Sequence, residues 1–169
     1  MKAISLLIAA FSAVLVLSAR SYAEPEAQYD TRHAVVIYSC DDDFCALEKK
    51  LKGGISMLAS AGGPASSGLA DRIDNIYEKV TRILGMDPGG KRISIEVIRS
   101  RGKAREACRG YRACYVPSMK RVIVSVEDIN SGMFAHELAH AIMDASGFPL
   151  PESSQEILAQ YVDVHLDDL

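Results

Sequence analysis

Between Met133 and Met143 the chain reads M-F-A-H-E-L-A-H-A-I-M, and no other run constrains the fold as much. Ala135, Leu138, Ala139, Ala141 and Ile142 make it apolar on nearly every side, the pattern of a helix packed into the centre of a domain. It nevertheless carries His136, Glu137 and His140. Burying two imidazoles and a carboxyl group is costly unless something satisfies them. Residues four apart on a helix stand about 40° round and one turn along, so both imidazoles reach one point. Zinc takes neutral nitrogen ligands about 2 Å away, and a carboxylate one step round can take a proton from water without occupying a coordination position. The spacing therefore predicts His136 and His140 as metal ligands beside Glu137 as general base.

A catalytic zinc needs a third protein ligand and one open position. Asp144 continues the histidine row, but it stands about 6 Å along the axis from His140 and about 12 Å from His136, so solvent exposure is expected of it. The metzincin pattern is excluded, because Met143 and Ser146 stand where a glycine and a third histidine would be required. The Gly- and Pro-containing stretch Ser146 to Pro151 breaks the helix, and Glu152 to Leu166 reads as another, with Ser153 or Ser154 as N-cap. A second helix can return a ligand. Glu156 lies in its first turns, with Glu152 as the alternative third ligand.

The N-terminus predicts the compartment. Met1 and Lys2 lead into an apolar run from Ala3 to Leu17, and Ser21-Tyr22-Ala23 supplies the small residues that signal peptidase requires. The run is too short for a comfortable membrane span, so residues 1–23 read as a cleaved secretory signal, leaving 24–169 as a single domain in a periplasm or outside the cell, with no stable membrane anchor. The formal charge of the whole chain is −3. Loss of Lys2 and Arg20 makes the mature domain more acidic still, which argues against nucleic acid as a partner. Export also suits the four cysteines. Cys40 and Cys45 are expected to close one small loop and Cys108 and Cys114 another, although sequence leaves the pairing open. A thiolate metal site is the rival for these residues.

Along the mature chain, Glu24 to Arg32 is polar and reads as loose, and His33 to Ser39 as a strand. Gly53 to Gly68 is dominated by Gly, Ala and Ser and reads as a mobile loop. Leu69, Ile73, Ile76, Val80, Ile83 and Leu84 recur at helical spacing, giving an amphipathic helix that Gly85 and Pro88 end. Arg92 to Ile98 alternates as a half-buried strand, and Tyr111 to Val116 with Lys120 to Val126 forms a hairpin about Pro117-Ser118-Met119.

On these residues the chain resembles the gluzincin metallopeptidases, zincins whose third ligand is a glutamate on the helix after H-E-x-x-H. That helix often reads E-G-L-A-E-Y-V in the family, and Glu156 to Val162 here reads E-I-L-A-Q-Y-V, with Ile157 and Gln160 as departures. The resemblance is specific over Met133 to Val162 and architectural over Arg92 to Val126. It implies an α+β, zincin-like fold: a small, mostly antiparallel sheet, a long covering helix from Leu69, the H-E-x-x-H helix and a C-terminal ligand helix. It also implies Zn2+ held by His136, His140 and Glu156, with Glu137 as base in hydrolysis of a peptide or protein substrate. The hairpin would provide the edge strand for an extended substrate. Tyr111, Arg112 and Tyr115 are candidate donors to the oxyanion, whereas Tyr161 and His165 are expected to point away. The other class of function is a secreted, non-catalytic protein that keeps the frame to bind a partner or metal. A third possibility is an interaction domain using the Asp41-Asp42-Asp43 run.

Overall fold

The computed structural model describes residues 26–51 and 65–168, so the expected signal segment 1–23 lies outside the described residues, as does most of the expected 53–68 loop. Five strands and five helices follow in the order β1 (Ala27–Asp30), β2 (Ala34–Tyr38), α1 (Asp41–Leu51), α2 (Ala65–Leu84), β3 (Ile93–Ile98), α3 (Arg101–Ala107), β4 (Ala113–Val116), β5 (Arg121–Ser125), α4 (Ser131–Ala145) and α5 (Glu152–His165). A 3-10 turn, Leu166–Asp168, ends the described chain. Among the described residues, no helix is long and apolar enough to cross a membrane.

The sheet order is β1-β2-β3-β5-β4. β1 pairs with β2 and β4 with β5 antiparallel, but β2 with β3 and β3 with β5 run parallel. The sheet is therefore mixed, which corrects the mostly antiparallel expectation. Side-chain alternation reports which face of a strand is buried and is blind to its partner's direction. Direction is decided by crossovers, and α1 with α2 between β2 and β3, and α3 between β3 and β5, carry the chain back to the starting end of the sheet.

One face of the sheet holds the main core. Ile93, Ile95 and Val97 alternate inward from β3, and Val122 and Val124 from β5, against Leu69, Ile73, Ile76 and Val80 of α2 and Leu138 and Ile142 of α4. The apolar stripe expected from Leu69 onward is thus the buried face of α2, with Ile83 and Leu84 partly covered at its end. The helix starts at Ala65, inside the stretch expected to be loop. It stops at Gly85, whose φ of +63° lets Met86 N–H reach back to the Thr81 carbonyl at 3.2 Å. On the opposite face, Ile123 is buried with Ala104 of α3 and Cys108.

Three local expectations are corrected. Ala27–Asp30 is an edge strand rather than loose chain, because its backbone completes the ladder of β2. Cys40 and Cys45 are free, exposed thiols on and beside the first turns of α1, where residues five apart diverge round the helix. Cys108 and Cys114 are disulfide-bonded, their Cα atoms 5.5 Å apart. The third concerns α5, which begins at Glu152 with Pro151 in the N-cap place and neither Ser153 nor Ser154.

Candidate metal centre

Asn130 caps α4, its side chain accepting the Met133 N–H at 2.9 Å, and the helix then runs through the whole H-E-x-x-H stretch. Phe134, Ala135, Leu138, Ala139, Ala141, Ile142 and Met143 are buried, which fixes the rotation of the helix and turns His136 and His140 to the one open side. Gly147, at φ +74°, ends the next turn and reverses the chain. α5 returns antiparallel along α4, seated by fully buried Ala159 and Val162. Alanines at 135, 139 and 159 are small enough for the two helices to approach closely.

That approach brings the third group in. His136 Nε2 and His140 Nε2 are 3.3 Å apart, and Glu156 Oε2 stands 3.7 Å from the first and 3.6 Å from the second. A triangle with these sides has a centre about 2.1 Å from each corner, the length of a bond from nitrogen or carboxylate oxygen to a small first-row divalent ion. Calcium wants six or more oxygens at longer range and fits poorly. Among the described residues, His136, His140 and Glu156 form the group that can hold a metal ion. Glu152 lies exposed on the first turn of α5 and takes no part in it.

The surroundings favour the ligand form of His140. Burial, then the neighbouring His136, pull the His140 pKa below its ordinary value and keep its ring neutral. A contact with the Gln155 side chain partly opposes that fall, and the Gln155 amide donates to the Leu150 carbonyl at 2.9 Å. The Gln155 side chain is thus held beside His140, in the place of an outer partner of a metal-bound histidine. Sequence reading overlooked Gln155. Gln160, one of the two departures from the family's helix, donates to Glu156 Oε1 at 2.8 Å, while Oε2 is the oxygen nearest the imidazoles.

Glu137 stands one step round α4. Burial, above all, raises its pKa to about 7, and Glu156 adds to the rise. The Tyr115 N–H of β4 opposes this by donating to Glu137 Oε2 at 2.8 Å. β4 is one of the two edge strands of the sheet, as expected of the hairpin, and packs against α4. The Tyr115 phenol donates to Asp144 Oδ2, and Lys120 Nζ binds the same oxygen. Tyr115 thus grips α4 at two points, two turns apart. Asp144 is half-buried and paired rather than exposed as expected, and these contacts, Lys120 first, lower its pKa. Burial, followed by the bond to Asp144, raises that of Tyr115.

Of the candidate oxyanion donors, Tyr115 is therefore committed to Asp144, and Tyr111 is 72% exposed. Arg112 is exposed as well. Tyr161 and His165 lie against each other, ring centroids 4.2 Å apart, and His165 bonds Asp168 at 2.6 Å. No family model, no curated protein and no solved structure matches the chain. Function is accordingly derived from the chemistry of the residues themselves.

Proposed function

We propose that the chain is an exported zinc-dependent peptidase of gluzincin type, with His136, His140 and Glu156 holding the metal and Glu137 acting as general base. The observation that carries the reading is the size of the ligand triangle, which suits a small first-row divalent ion such as zinc, beside a largely buried carboxyl group that is not one of its corners. Zinc bound there would supply Lewis acidity to a substrate carbonyl and lower the pKa of an attacking water. Glu137 needs to exchange a proton near neutral pH, and its burial gives it an affinity suited to that. The Tyr115 N–H holds one carboxylate oxygen, leaving the other free to take the proton and deliver it to the leaving amine. Two imidazoles and one carboxylate leave a tetrahedral ion one open position. The export assignment rests on the leader-like residues 1–23.

A second reading, a secreted zincin-like protein that holds metal and cleaves nothing, draws on one observation. The Tyr115 phenol, the candidate donor nearest the helix, is already bonded to Asp144. The two readings separate on metal content and digestion of a mixed peptide library by wild type and Glu137→Gln. Stoichiometric zinc in both proteins with cleavage by wild type alone is expected. Zinc in both with cleavage by neither establishes the second reading, and absence of zinc from both overturns the pair.

A further inference from the structure

We infer that the outer face of α5 docks cationic amphipathic peptide segments, and that these are the substrate class of the metal centre; this rests on the peptidase reading above. Ile157, Tyr161 and Val164 repeat at i, i+4 and i+7, which puts them on one face of the helix. They are 67, 52 and 73% exposed, and Phe148, in the connection leading into α5, is 63% exposed. Of the six large apolar side chains exposed among the described residues, these are four. Scattered apolar residues are ordinary on a surface, whereas an aligned stripe marks a place where something binds.

Charge selects the occupant. From Ser146 to Asp168 the chain carries Glu152, Glu156, Asp163, Asp167 and Asp168 and no lysine or arginine. Glu152, Glu156 and Asp163 share a helix face one step round from the stripe. That face looks into the groove against α4. Glu156 meets the histidines there, and a Cβ added at Gly132, in the first turn of α4, would come within 2.1 Å of Asp163 Oδ1. Among the described residues, no cation pairs with Glu152, Asp163 or Asp167. A second copy laid on this face would set acid against acid, which disfavours self-pairing. A segment whose apolar residues cover the stripe while its lysines or arginines lie along the acidic row meets both features. Glu156 belongs both to the acidic row and to the metal cluster, so a segment whose cations lie along that row runs beside the metal ligands.

The test uses mature Glu137→Gln protein loaded with zinc, so that binding is read without cleavage. The probes are fluorescein-labelled amphipathic peptides of about 15 residues, one of Lys and Leu, one of Glu and Leu and one of Lys and Ser. Anisotropy is expected to give the Lys/Leu peptide a Kd at least roughly tenfold below either of the others, weakening as salt rises to about 0.15 M. Ile157→Ser with Val164→Ser is expected to raise that Kd roughly tenfold, and Asp163→Asn with Asp167→Asn roughly threefold with a shallower salt dependence. All four positions are exposed, and circular dichroism verifies the fold of each variant. Equal binding of the three peptides, or binding that neither variant changes, overturns the inference. So does a wild-type dimer in sedimentation that the Ile157/Val164 variant abolishes, because the face would then belong to a second copy. Binding as expected in a protein whose wild type cleaves nothing defeats the peptidase reading and the substrate assignment, and leaves the docking face standing. Library cleavage without preference for cationic apolar peptides defeats the inference and leaves the peptidase.

Discussion

Among the described residues two clusters pair histidine with glutamate, and one of them could hold a metal ion. At the start of β2, His33 Nε2 lies 3.3 Å from Glu78 Oε1, a spacing like those around Glu156. There the same carboxylate oxygen is held at 2.6 Å by Arg32, and the His33 ring stacks on Tyr77 with centroids 4.3 Å apart and planes 6° from parallel. The carboxylate is neutralised by a guanidinium, and no second imidazole shares the point. In the α4–α5 cluster no cation among the described residues pairs with Glu156, and three ligand atoms lie round one position. The lesson is that residue type and pairwise distance do not make a ligand set; convergence of free lone pairs does.

The sharpest way to break the comparison is to remove a histidine from each cluster. His140→Ala is expected to lose stoichiometric zinc and with it all hydrolysis, while His33→Ala keeps its metal. Metal analysis after dialysis checks both, and equal zinc in the two variants would dismiss the α4–α5 site.

Next in size is the charge state of Glu137. Its folded pKa of about 7 lies above the ordinary 4.5, so the folded chain keeps a proton that the unfolded chain releases. The metal-free protein is then fully stabilised below about pH 4.5 and loses up to ~3 kcal/mol as pH rises towards 7. Glu137→Gln, uncharged throughout, lacks that loss. Urea unfolding with chelator at about pH 5 and about pH 8 is therefore expected to show the variant gaining on wild type at the higher pH. Parallel behaviour of the two proteins would mean that the carboxyl group is not buried.

Gln155→Ala tests the outer support of one cluster. Loss of the side chain held beside His140 is expected to weaken zinc binding roughly 10- to 100-fold without abolishing it. Competition with a chelator measures this, and unchanged affinity would leave the Gln155 contact without a role. The smallest effect belongs to the other cluster. Glu78→Gln breaks a pair whose side chains are 69% and 45% exposed, so ~0.5 kcal/mol of stability is expected to go, less in high salt, with zinc content untouched.

Much of this was legible in the sequence, for reasons of range. α2, β3, the β4–β5 hairpin and α4 each announce themselves through a periodicity contained within one element, and the structure has them close to the expected bounds. α1 and α3 escaped notice, the first because Asp41-Asp42-Asp43 looks like a solvated turn when it is the acidic first turn of a helix. The Asp144 contact was missed because Lys120 and Tyr115 reach it from another element. Gln155 had only its place beside Glu156 to mark it.

The sequence alone determined the pair His136 and His140 with Glu137 beside them, because one helical turn sets their relation whatever the rest of the chain does. Close spacing favoured Cys108 with Cys114 without fixing the pairing, and the structure has them bonded. Only the tertiary structure decided that Glu156 and not Glu152 completes the triangle, that two sheet pairings are parallel, and that Cys40 and Cys45 stay apart. Each of these depends on tertiary packing: buried Ala159 and Val162 set the rotation of α5, the crossover helices set strand direction, and α1 begins after Cys40 and carries Cys45 within it.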